Sequence, residues 1–328
     1  MPLTLTRALE AVLDGEDAEA LRRATARLIE VYRSGAPPSA QVLRDPVSAA
    51  AYAAYRMPAT HAAVSRVLRY AAEVVPGLAP RSLVDVGGGT GAAAWAVAEA
   101  FPGLGSVEVL DGSADALALG ARIARNGPSV LAGARWTRRD LAANAPLPQA
   151  DLATVSYVLG ELPDDLGGRV VDAAMAAAGV VVVVEPGTPR GFAAVHAARE
   201  QLLAAGWHLV APCPHEDACP LAAAGDWCHV GVRLDRTALH RRLKGASLGH
   251  EDEKVSYVVA RREPAALPEG RVLRHPVTRK GMVRLEVCRA DGNAAAEVVS
   301  KRQGPRYRAA RHAGWGDRWP IGGTDPAD

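Results

Sequence analysis

Cys213, Cys219, Cys228 and Cys288 are the four cysteines of this 328-residue chain, and three of them crowd one stretch with the spacing C-x5-C-x8-C. Four soft thiolates are the number that closes a tetrahedral zinc site or holds an iron–sulfur cluster. Their neighbours are Pro, His, Asp and Trp, whereas a free thiol filling a core would sit in a periodic apolar run. Pro214 and Pro220 stop helix or strand from running through, which favours a ligand-bearing loop. A disulfide framework needs an oxidising compartment, and the sequence shows no export segment. The spacing does not choose the metal. The tight C-x2-4-C knuckle of zinc sites is missing, while Cys-Pro neighbours occur in cluster-binding runs. Iron–sulfur is therefore the first expectation, with zinc as the alternative, and His215 and His229 are alternative ligands by type.

A second constellation lies upstream. Asp85-Val-Gly87-Gly-Gly89-Thr-Gly91 follows a short apolar strand and precedes a helix. Glycines at such a place let the backbone approach a ligand and point a helix N-terminus at it. The next strand ends in Asp111, placed to bond a ribose hydroxyl. Asp140, after a third strand, adds an acid to face an adenine amino group. The G-x-G-x-x-G pattern of dinucleotide folds fails here, because Ala92 takes the third position. The D-x-G-x-G-x-G form resembles class I S-adenosylmethionine-dependent methyltransferases. That resemblance gives Asp85, Gly87, Gly89 and Gly91 the methionine part of the cofactor and Asp111 its ribose. After the fourth strand, base-nitrogen methyltransferases often carry Asn/Asp-Pro-Pro-aromatic and cytosine-C5 enzymes a cysteine; this chain has Ser156-Tyr-Val-Leu-Gly-Glu-Leu-Pro163. Tyr157 and Glu161 are candidates to line the pocket, and no general base is identifiable there.

The elements that must position these residues follow from periodicity. Residues 1–75 read as an N-terminal helical region, with Asp17 capping a helix near residues 21–32 and a further helix over 59–74. Residues 76–210 alternate strands (82–86, 107–110, 134–138, 153–158, 180–184) with helices, which implies an α/β core with a parallel sheet. Residues 211–260 form a cysteine-rich segment that completes the core, ending in a strand at 255–260. Residues 261–328 form a basic C-terminal β module, with strands at 271–275, 282–288 and 294–300, barrel-like, and a tail. The longest apolar run, 173–184, is too short to span a bilayer, which takes about 20 residues. The expectation is a cytoplasmic protein with no membrane contact, monomeric when free.

The net charge of +2 hides an asymmetry: residues 261–320 hold fourteen basic against six acidic side chains, so the remainder is net acidic. A basic module on an acidic body suggests a polyanion such as RNA.

Tyr55-Arg-Met-Pro-Ala-Thr60, the glycine loop, Ser156 to Pro163, Glu185-Pro-Gly-Thr-Pro-Arg190, the cysteine stretch, Asp226-Trp-Cys-His229 and Glu253-Lys-Val-Ser-Tyr257 together resemble the Rsm22 family. The resemblance covers residues 48–319 in matching motif order. It implies a class I methyltransferase core and binding to the small ribosomal subunit or its rRNA. It also implies a four-cysteine iron–sulfur site, [4Fe-4S] on Cys213, Cys219, Cys228 and Cys288. A SAM-dependent rRNA methyltransferase is the first function implied, and a non-catalytic small-subunit assembly factor the second.

Overall fold

The computed structural model describes residues 3–34, 45–143, 145–235 and 249–320. Four helices open the chain: α1 (Leu3–Leu13), α2 (Ala18–Ser34), α3 (Pro46–Tyr55) and α4 (Met57–Val74). Asp17 accepts from the Glu19 and Ala20 N–H groups and starts α2, as the sequence predicts. Asp45 caps α3 through Ser48, and Pro46 fills a first-turn position whose N–H needs no partner.

The main sheet is built from β1 (Ser82–Val86), β2 (Ser106–Asp111), β3 (Arg135–Arg138), β4 (Ala150–Ser156) and β5 (Ala178–Pro186), parallel in the order β3-β2-β1-β4-β5. The crossovers are α5 (Ala92–Ala100), α6 (Ala114–Ala124), α7 (Ser129–Ala132), α8 (Asp164–Ala177) and α9 (Pro189–Ala204). Both sheet faces are covered, so the strands are runs of apolar residues and not alternations. In β5, Val182 and Val184 join the core under α3, α4 and α5, while Val181 and Val183 join the core under α8 and α9.

Three more strands extend the sheet: β6 (His208–Ala211), β7 (Val230–Asp235) and β8 (His250–Arg261), with the short α10 (Pro220–Ala223) between the first two. β8 runs antiparallel to β5, β6 and β7. The five core strands are parallel, as the sequence predicts, and the sheet becomes mixed where β8 joins it. β8 is twelve residues long, and its second half lies between β5 and β6 while its first half pairs β7. An order of 3-2-1-4-5 followed by an inserted antiparallel strand is the class I methyltransferase arrangement.

The C-terminal residues form a second sheet, β9 (Gly270–Val272), β10 (Val277–Arg279), β11 (Met282–Arg289) and β12 (Ala294–Ser300), packed against α11 (Pro305–His312). It is an open four-stranded sheet and not a barrel, because β10 and β9 share one edge of β11, each along only part of its length. The sequence reading also lacks α8. Gly167 and Gly168 weaken its helical pattern, and its last residues merge into the apolar run of β5.

Candidate functional site

The strand order reverses between β2 and β4 on either side of β1, and ligands of open α/β sheets bind at the carboxyl ends beside such a reversal. Asp85, Asp111, Tyr157 and Glu185 all stand at these ends. Asp85 is fully buried; Thr154 Oγ1 donates to its Oδ1 at 2.7 Å, and its Oδ2 has no partner among the described residues. Burial pushes this carboxyl up to about 6. Gly87, Gly89 and Gly91 take positive φ angles of 65°, 54° and 85°, which is why the loop is written in glycine. The loop is tied to β2 by Gly88 N–H donating to Leu110 O at 3.0 Å.

Asp111 is held by the loop it faces. Its Oδ2 accepts from Gly89 N–H at 2.9 Å and its Oδ1 from Ser113 N–H at 2.8 Å. Burial raises its pKa, and those backbone donors oppose the rise. Asp140 is exposed in the turn after β3, where its Oδ1 accepts from Ala142 N–H at 2.9 Å, and it lines a small cavity with Val86 and Leu141.

Opposite the glycine loop, Tyr157 sits in the left-handed region at φ 59°, a conformation a tyrosine holds only when its surroundings impose it. Its N–H donates to Val184 O at 2.7 Å and its hydroxyl to Glu253 Oε1 at 3.1 Å. The Arg56 guanidinium pairs with the same carboxylate and lies 5.1 Å from the Tyr157 ring centre. Glu185 organises the next turn: its Oε1 accepts from Val158 and Leu159 N–H at 2.9 and 2.8 Å, and its Oε2 from Gly160. Burial pushes Glu185 up to about 7. The sequence motifs contain Arg56, Glu185 and Glu253, yet no spacing rule connects residues this distant.

Cys213, Cys219, Cys228 and Cys288 line one cavity, reached from four directions. Cys213 follows β6, Cys219 precedes α10, Cys228 precedes β7 and Cys288 lies in β11. All are free thiols. Burial raises the Cys213, Cys228 and Cys288 thiols, the last to about 12, and for Cys228 the charges of the other three sulfurs add to the rise. His215 Nε2 stands 3.3 Å from Cys288 Sγ, while the other candidate histidine, His229, stacks on Trp227. Among the described residues, no three His, Cys, Asp or Glu side chains are gathered closely enough to hold a metal ion. The sulfurs share a chamber and are not drawn onto one point.

The fold and this crevice define a protein of the class I methyltransferase type. The chain belongs to the family described as mitochondrial small ribosomal subunit Rsm22, whose family model matches residues 46–320. It is 28% identical over 290 residues to the human mitochondrial ribosome assembly protein METTL17, covering 82% of this chain and 62% of that protein. It is 27% identical over 187 residues to the mitochondrial Rsm22-cox11 tandem protein 2 of Schizosaccharomyces pombe, covering 44% of this chain. The chain thus spans a quarter of the length of that fission-yeast relative. Among solved structures it is similar to the magnesium protoporphyrin methyltransferase of Synechocystis with bound SAH, at 14% identity and a TM-score of 0.41, over 62% of this chain and 84% of that one. The family and both relatives are mitochondrial by description, which overturns the cytoplasmic expectation. That expectation rested on a missing export segment, and such an absence carries no address. Among the described residues no helix is long and apolar enough to cross a membrane.

Proposed function

We propose that the chain binds S-adenosylmethionine in the Asp85–Asp111 crevice and acts on the assembling small ribosomal subunit as an rRNA methyltransferase. The observation that carries the reading is the Asp111 carboxylate, fixed by Gly89 and Ser113 N–H groups at the end of β2, beside glycines held at positive φ. A ribose needs a carboxylate in that place, and a methionine chain needs a backbone without side chains. The bound cofactor supplies the methyl group; the chain's own residues orient it and exclude water.

The contact with the subunit is assigned to the open face of the second sheet. Val277, Arg284 and Val298 form one cross-strand row, and Arg279, Met282 and Ser300 the next. Val277, Met282 and Val298 are among the exposed large hydrophobic residues, and the arginines between them are the side chains that would contact phosphates.

The four cysteines are read as the ligands of an iron–sulfur cluster. Four thiolates lining one cavity are the donor set such a cluster takes. Methyl transfer from labelled cofactor to the rRNA of small subunits lacking this protein tests the enzyme reading. The alternative is an assembly factor without catalysis. Cofactor and subunit binding without label in the rRNA is the result that alternative requires.

A further inference from the structure

Two arginines stand in the wall of the four-cysteine cavity at a depth where a cation is costly unless it is matched. Arg271 is 2% and Arg199 3% exposed, and both line the cavity. Register places the first: Arg271 is the cross-strand partner of Cys288, so the pleat sets both side chains on one face of the second sheet. Its Nε donates to Pro212 O and its Nη1 to Gly316 O, both at 2.9 Å, and its guanidinium lies 5.0 Å from the Tyr70 ring centre. These anchors hold the fork in place and leave Nη2 buried with no partner among the described residues. Arg271 also makes no ion pair with a described carboxylate. Arg199 comes from α9 on another wall. Its Nη2 donates to Asp217 O at 2.6 Å, its Nη1 pairs with the exposed carboxylate of Glu200, it lies beside Cys213, and its Nε is likewise buried without a partner.

We infer that Arg199 and Arg271 balance the charge of an anionic metal–thiolate group in this cavity and donate their free N–H groups to its sulfurs. The inference deepens the cluster reading proposed above and rests on it. A metal site on four thiolates, whether zinc or an oxidised four-iron cluster, carries two net negative charges; Arg271, without a carboxylate of its own, and Arg199, whose carboxylate partner Glu200 lies out toward solvent, offset them. Such charges and N–H···S bonds set a cluster's reduction potential and its hold on iron. The reduced cluster is more anionic, so both arginines favour it and raise the potential.

The test uses the full chain purified anaerobically, with Arg199→Met, Arg199→Lys, Arg271→Met, Arg271→Lys and Cys219→Ser. Metal and sulfide per chain, the rate of metal release to a chelator and the midpoint potential are measured. The expected result is release about ten- to a hundred-fold faster in the Met variants, with a more negative potential, and Lys variants lying between these and the parent. A merely structural tether leaves the potential of a folded variant unmoved. Arg271→Met also cuts two backbone anchors, so if it fails to fold, Arg199→Met decides. Parent-like release and potential in the folded Met variants overturn the inference while leaving the cluster standing. Zinc without sulfide in the parent overturns the cluster reading alone, and release rates then judge the arginines. A parent that retains no metal, like Cys219→Ser, overturns both.

Discussion

Arg56 and Glu253 lie 197 residues apart in the chain, and their side chains pair at 3.1 Å across the Tyr157 ring. The N-terminal helices and the antiparallel strand β8 are thereby clasped over the end of β4. Arg56 and Glu253 are 13% and 12% exposed, so neither charge is well hydrated alone. Glu253→Gln keeps an acceptor for the Tyr157 hydroxyl and removes the charge that pairs with Arg56, and the expected loss is about 3 kcal/mol of unfolding free energy. Urea unfolding measures it, and adding Arg56→Met to Glu253→Gln should restore a large part. A Glu253→Gln protein as stable as the parent would show the clasp to be ornamental.

Glu185 gives a pH signature. Its ordinary value is 4.5 and burial lifts it to about 7, so the folded chain binds this proton more tightly than the unfolded chain. Asp85 behaves alike, lifted from 3.8 to about 6. The stabilisation from these protons is fully present below the ordinary values and is lost as pH rises through about 6 and then about 7. For Glu185 the loss is about 3 kcal/mol across the window. Denaturant midpoints should fall between about pH 5 and 7.5, and Glu185→Gln should flatten that fall.

Asp111→Asn removes the charge from the proposed ribose partner while keeping its size. Losing a charge-assisted hydrogen bond costs about 1.5–3 kcal/mol, so calorimetry should report cofactor binding weaker by about ten- to a hundred-fold. The far-ultraviolet spectrum should not change.

The open face of the second sheet predicts salt behaviour. If Arg279 and Arg284 neutralise phosphates, Arg279→Ala and Arg284→Ala should each lower the salt slope of binding to small subunits by roughly one. Arg284 also pairs with Glu286 at 3.3 Å, so its effect should be the smaller of the two. Filter binding over a range of salt concentrations checks both. Unchanged slopes would move the contact elsewhere.

The crevice proposed for the cofactor was legible in outline because its signals are local. Asp85, the glycines and Asp111 lie within one strand–loop–helix–strand run, and β1 falls where the sequence places it. The four cysteines were legible as a set, but not the fact that Cys288 arrives on a separate sheet with Arg271 beside it. Long-range antiparallel pairing hid the rest. The first half of β8, rich in Glu, Asp and Lys, gains its strand identity from β7, and the Arg56–Glu253 clasp exists only once β8 is inserted beside β5. Glu185 stood out only as the first residue of the Glu185–Arg190 motif, because its three partners are backbone N–H groups, which leave no mark in a sequence.

The most direct test of the central claim is equilibrium binding of labelled S-adenosylmethionine to the anaerobically purified full chain. The account predicts one cofactor per chain, displaced by S-adenosylhomocysteine and weakened by Asp111→Asn. No saturable binding, or binding indifferent to Asp111, would contradict it.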